Sequence, residues 1–207
     1  MADQLLLIRH AGVGPTWAGR YVGRTDLPLG PDGLREAQGL AALVQSRKAG
    51  CCFSSPLARA AETARTIARA AGLAVEVDQN LREVDFGRWE GRTFAEIAAA
   101  DPDAVARWAA FAEDFAFPGG ESLGAFLDRV SRAAERLAAH PAKVVMAVTH
   151  GGVIRTMICR LLGLDPRSYV LFSVRTASAA TIDLYEGRGV LSGLNETAAA
   201  LDTGGSD

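Results

Sequence analysis

Lys143-Val144-Val145-Met146-Ala147-Val148-Thr149-His150-Gly151-Gly152 is the stretch that decides how this 207-residue chain is read. Its unbroken apolar, β-branched run is the pattern of a strand covered on both faces, not of one half in water. The glycines that follow make a tight turn, and residues 151–162 then read as a helix stopped by Gly163. The same alternation extends outward in both directions. Residues 5–9 are a short buried strand, and 11–31 a long loop rich in Gly and Pro, of the kind that carries function. Residues 32–47 read as a helix with Leu34, Ala37, Leu40, Ala41 and Val44 on one face, and 50–53 as a strand. Ser54-Ser55-Pro56 reads as a hydroxyl cap and first-turn proline, opening a helix over 57–71 that Gly72 ends.

Residues 74–77 form the next expected strand, and 93–115 a helical stretch broken at Asp101-Pro102. After a turn at 118–120 come a helix over 122–139 and late strands over 169–174, 179–184 and 189–194. Such alternation predicts an α/β fold with helices covering a largely parallel sheet, in one domain over 1–196 with a frayed tail over 197–207.

Composition narrows the function. The chain is 49% hydrophobic with a formal net charge of −2, which excludes a mainly disordered chain and disfavours nucleic acid as a partner. Three cysteines without framework spacing read as buried structural thiols, and no Cys/His cluster suggests a metal site. No apolar run has the length of a membrane span, and the N-terminus lacks a signal-peptide pattern. A cytoplasmic protein is the expectation, and the sequence leaves its oligomeric state open.

Ligands of α/β sheets bind beyond the carboxyl ends of the strands. Two of the three histidines stand there: His10 after the first strand and His150 after the clearest one. His140 reads as a solvated loop residue. Arg9-His10 is either a site or a surface arginine beside a capping histidine. Thr149-His150-Gly151-Gly152 is either a plain turn or a place where backbone amides, Gly151 included, approach an anion. Arg59 lies in a first helical turn, where a cation opposes the helix dipole, so it is a solvated residue or one held there to bind an anion. Glu83, in a segment of mixed charges, aromatics and glycines, is a candidate general acid, with Asp85 and Glu90 close by.

Together these stretches resemble the histidine phosphatase superfamily, whose best-known relative is phosphoglycerate mutase. The resemblance rests on Leu7-Ile8-Arg9-His10, Ser54-Ser55-Pro56-Leu57 with Arg59, Leu81 to Gly91 around Glu83, and Thr149-His150-Gly151-Gly152, and it spans residues 5–195. It implies a three-layer α/β/α sandwich with a mostly parallel central sheet, and a phosphomonoesterase acting on a small phosphorylated metabolite. His10 becomes the nucleophile that carries the phosphoryl group. Arg9, Arg59 and His150 become the cationic pocket, and Glu83 the proton donor and later base. No metal or other cofactor is implied. Ala11 stands where the family usually has Gly, and Val13 and Thr16 where it often has Thr and Asn; Thr16 is the expected secondary phosphate contact.

Gly152, where mutases tend to have Asn, and the short segment between the Glu83 and His150 motifs resemble the phosphatases more than the mutases. Residues 19–29 resemble α-ribazole phosphatases and fructose-2,6-bisphosphatase-like enzymes, and α-ribazole 5′-phosphate is the leading specific substrate. A broad sugar-phosphate or nucleotide phosphatase, a mutase-like transferase and a weakly catalytic adaptor of the same fold are the alternatives. Trp108, Phe111, Phe115 and Phe117 either stack on a flat base or belong to helix packing, since positions 108, 111 and 115 share one helical face.

Overall fold

The computed structural model describes residues 1–112, 114–186 and 188–197; of the tail expected over 197–207, all but Thr197 lies outside them. Its centre is a six-stranded sheet in the order β3-β2-β4-β1-β5-β6. The strands are β1 (Gln4–Arg9), β2 (Cys51–Ser54), β3 (Val75–Val77), β4 (Val144–Thr149), β5 (Ser178–Tyr185) and β6 (Arg188–Glu196). The pairings from β3 through β2 and β4 to β1 are parallel, and those of β5 with β1 and β6 are antiparallel. Only β5 therefore runs against the rest, which makes the sheet mostly parallel as expected.

Both faces of the sheet are covered, which explains the continuous apolar runs of β1 and β4. Leu6, Ile8, Met146 and Val148 pack on one side with residues of helices α1 (Pro31–Arg47) and α2 (Ala58–Ala71). Leu5, Leu7, Val145 and Ala147 pack on the other with α5 (Leu123–Ala138) and α6 (Gly151–Leu162). The layers are therefore α/β/α. Two shorter helices, α3 (Phe94–Ala100) and α4 (Pro102–Ala109), precede α5.

This arrangement locates the site. β1 and β4 are neighbours in register, with Arg9 opposite Thr149. The chain leaves β1 towards α1 on one face and leaves β4 towards α6 on the other. A crevice opens between their carboxyl ends, the switch point where α/β sheets bind ligands.

Several expectations need correction. Residues 169–174 form no strand: Asp165 caps a 3-10 turn over Pro166–Leu171 by accepting from Arg167 N, and Val170 and Leu171 are exposed. The apolar run there lines a cavity instead of entering the sheet. Helix α2 starts at Ala58, not after Ser55. Its Ala58 N–H is capped by Asp26 Oδ1 from the long loop at 2.6 Å, while the Ser55 hydroxyl accepts from Leu57 N at 3.3 Å and meets His150. The helical stretch after Asp101 ends at Ala109, so Phe115 and Phe117 are not on a helix; both are buried beside Trp89. His140 is half-buried, its Nδ1 accepting from Ala142 N and meeting Cys51 Sγ at 3.5 Å. Cys51 is itself half-buried, whereas Cys52 and Cys159 are buried, and burial pushes the Cys52 thiol up to about 12.

Candidate active site

His10 follows β1 directly, its backbone N–H donating to Thr149 O across the strand pair. Its ring is buried, and both nitrogens are committed. Nδ1 lies 2.8 Å from Ala11 O, and Arg59 Nε donates to Nε2 at 3.2 Å. A carbonyl can only accept and a guanidinium can only donate, so these partners assign the proton to Nδ1 and the lone pair to Nε2. Burial, reinforced by Arg59 and Arg9, holds the His10 pKa well below 6.5, so the ring is neutral and nucleophilic near neutral pH.

Ala11, the departure after His10, fits without disturbing this geometry. It is fully buried with Leu29 and Ala37, and its N–H donates to Thr63 Oγ1 at 3.1 Å.

Arg59 is fully buried. Besides His10 it donates to the carbonyls of Thr25 at 2.9 Å and Gly23 at 2.7 Å. The opposite side of that loop turns its amides to Glu90: Oε1 accepts from Arg24 N at 2.8 Å, and Oε2 from Gly23 N, Thr25 N and Thr25 Oγ1. Residues 23–25 are thus gripped by Arg59 through their carbonyls and by Glu90 through their amides. A Cβ at position 23 would lie 2.1 Å from Val84 O, so only glycine fits that contact.

This settles how the neighbouring carboxylates differ. Glu90 is spent on backbone amides, and Asp85 accepts from Gly87 N at 2.9 Å. Of the three, Glu83 alone lines the cavity. Its carboxylate accepts from Val84 N at 3.0 Å and from Gly152 N, at the start of α6, at 2.9 Å. A Cβ at position 152 would lie 2.5 Å from Glu83 Oε1, so glycine there leaves the carboxyl its place. The Glu83 carbonyl is held from behind by Arg24 Nε and by a terminal nitrogen of Arg129, each at 3.0 Å. Arg129 is itself buried and binds Glu121 bidentately at 2.6 and 2.8 Å. Burial pushes the Glu121 carboxyl up, but the Arg129 fork outweighs it and holds the group below the usual range.

Arg9 rests on Gly151, where a Cβ would come within 3.3 Å of its guanidinium carbon. One of its terminal nitrogens donates to Val174 O at 2.6 Å, while its buried Nε has no partner among the described residues. His150 lies fully buried behind His10, ring centroids 5.1 Å apart, with Nε2 2.8 Å from Ser55 Oγ. Its Nδ1 is also without a partner among the described residues. Burial first, then His10 and the arginines, keeps His150 neutral too. Unpartnered buried nitrogens around a cationic crevice suit an anion rich in acceptor oxygens.

The cavity holds about 910 Å³, far more than a phosphoryl group occupies. Arg9, His10, Arg59, Glu83 and Gly151 line it; His150 supports it from behind. Thr16 is exposed in the 3-10 turn Pro15–Trp17 and is not among the lining residues, whereas Val13 is. Sequence reasoning missed Tyr21, Tyr169 and Arg155, which also line the cavity. For Arg155 a signal existed: it is one helical turn after Gly151, on the same face. Among the described residues no group of three or more His, Cys, Asp or Glu could hold a metal, and no helix is long and apolar enough to cross a membrane.

Comparison with known proteins agrees with this geometry. The model of the histidine phosphatase superfamily (branch 1) matches residues 5–197. Phosphoserine phosphatase 1 of Hydrogenobacter thermophilus is 34% identical over 195 residues, covering 94% of this chain and 92% of that protein. The adenosylcobalamin/alpha-ribazole phosphatase of Salmonella typhimurium is 31% identical over 196 residues, covering 94% and 97%. The crystal structure of a putative alpha-ribazole-5′-P phosphatase from Escherichia coli superposes with a TM-score of 0.84 at 29% identity, covering 95% of this chain and 97% of that one. The chain belongs to the histidine phosphatase superfamily (branch 1) and is a phosphatase.

Proposed function

We propose that the protein hydrolyses a phosphomonoester of a small metabolite in two steps through a phosphohistidine on His10. The observation that carries this reading is the fixed tautomer of His10, which turns the Nε2 lone pair towards Arg59. In the first step Nε2 forms a bond to phosphorus and the ester P–O bond breaks. Glu83 gives its proton to the departing alkoxide, and the His10 Nδ1 proton stays on Nδ1, donated to Ala11 O. In the second step the Glu83 carboxylate takes a proton from water, the water oxygen bonds to phosphorus, and the N–P bond breaks to release phosphate. Arg9 and Arg59, with His150 behind them, stabilise the charge on the phosphoryl oxygens. The Gly151 amide, at the N-terminus of α6, is a further donor. Thr16 has the least support of the expected contacts, because it is exposed and outside the cavity wall.

For the substrate, the relatives' names offer α-ribazole phosphate and phosphoserine. The expected α-ribazole 5′-phosphate is supported by the likeness to the E. coli structure. It is weakened by the burial of Phe115 and Phe117 and by the position of Phe111 off the cavity wall, so that Trp108 alone of these four lines it. The test is turnover of p-nitrophenyl phosphate and a panel of natural phosphomonoesters by protein stripped of metal. Turnover that persists in excess EDTA is the expected result. Activity that disappears and returns only with Mg²⁺ or Mn²⁺ contradicts the reading.

A further inference from the structure

The phosphoryl pocket accounts for Arg9 and Arg59 but not for two further guanidiniums on the same cavity wall, Arg20, which pairs with Glu96, and Arg155. Arg155 is half-buried in the second turn of α6. Its Nε donates to Gly151 O at 3.2 Å, and its guanidinium lies 5.2 Å from the centroid of the Tyr169 ring. No carboxylate pairs with it among the described residues, although Arg20, Arg129 and Arg136 each have one. With Nε bonded and one face on Tyr169, it keeps its two terminal nitrogens for a partner. Two parallel N–H groups match the two oxygens of a carboxylate.

Gly151 sets the distance. Arg9 rests on its Cα and Arg155 holds its carbonyl, so the two guanidiniums flank one residue. Burial raises the cost of the Arg9 charge, the Glu83 carboxylate offsets part of it, and Arg155 adds to it.

We propose that Arg155, backed by Tyr169, is a second anion subsite that receives a carboxylate of the substrate. The substrate class is then a phosphomonoester whose short carbon skeleton bears a carboxylate close to the phosphoryl group, because the two guanidiniums that hold them flank the single residue Gly151. This rests on the phosphatase reading above and deepens it. A carboxylate fits the charge better than a second phosphate, since one unpaired guanidinium balances one negative charge. Arg155 is a specificity residue here and takes no part in breaking the P–O bond.

Two matched pairs test it. O-phosphoserine differs from O-phosphoethanolamine by the carboxylate, and 3-phosphoglycerate differs from glycerol 3-phosphate by a carboxylate in place of a hydroxymethyl group. In the wild-type protein the carboxylated member should be favoured at least tenfold in kcat/KM in at least one pair. Arg155→Gln should cut that ratio below about threefold, and Arg155→Lys should leave it intermediate, because lysine keeps the charge but not the fork. Because the readout is a ratio within one protein, partial loss of folded enzyme does not alter it. Equal turnover within both pairs, or a preference that survives Arg155→Gln, overturns the subsite. Failure to hydrolyse p-nitrophenyl phosphate or any member of either pair would instead remove the phosphatase reading, and this inference with it.

Discussion

Arg59 Nε donates to His10 Nε2 at 3.2 Å, while the other His10 nitrogen is tied to the Ala11 carbonyl at 2.8 Å. In the proposed mechanism Arg59 thereby both orients His10 and stands ready for the phosphoryl group that His10 attacks. When phosphorus approaches Nε2, the same Nε–H can turn to a phosphoryl oxygen. The rest of the Arg59 fork stays on the carbonyls of Thr25 and Gly23, which hold it in place.

Arg59→Lys should lower kcat/KM at least about tenfold, a cost of roughly 1.4 kcal/mol, because an ammonium cannot bridge His10 and the loop together. Vanadate inhibition should weaken in parallel. Vanadate affinity equal to that of the wild type would place Arg59 outside the phosphoryl pocket.

His10 and His150 tie activity and stability to pH. Both have folded-state pKa values well below 6.5, lowered chiefly by burial. As pH falls below 6.5, the unfolded chain takes up protons that the folded one refuses. The stability from these neutral rings is therefore full above that value and lost on acidification towards the folded-state values. Melting temperature should fall from about pH 7 to about pH 5, and less steeply in His10→Gln than in wild type. Thermal melts across that range decide it, and identical slopes would show that His10 is not buried neutral.

Glu83 should show its role through the leaving group. Glu83→Gln should slow phosphoenzyme formation, read by single-turnover quench, more with an alkyl phosphate than with p-nitrophenyl phosphate. Gly152→Ala should mimic this, since its methyl would enter the space of Glu83 Oε1. Asp85→Asn and Glu90→Gln should show no such dependence, because neither carboxylate lines the cavity that Glu83 faces. A leaving-group dependence in either would move the proton donor to that residue.

How far the sequence could be read depended on where its information lay. β1 and β4 were legible because burial on both faces imposes unbroken apolar runs, and His10 and His150 because strand ends carry α/β sites. Arg59 stood out against the helix dipole. By contrast, Glu83, Asp85 and Glu90 could not be told apart, since what separates them is the distant Arg24, Thr25 and Gly152 amides. The apolar run at 169–174 was misread because an apolar cavity wall and a buried strand share one composition. Ser55 was read as a cap because a hydroxyl before proline favours one, but Asp26 takes that role across 32 residues of chain. Such long-range substitutions leave no local trace.

Trapping the intermediate tests the central claim most directly. p-Nitrophenyl phosphate has a good leaving group, so phosphoenzyme hydrolysis should become the slow step and the intermediate should accumulate. Rapid quench followed by peptide mapping and ³¹P NMR should find an acid-labile, base-stable phosphohistidine at His10, bonded through Nε2. Phosphate on any other residue, or on Nδ1 of His10, would contradict it.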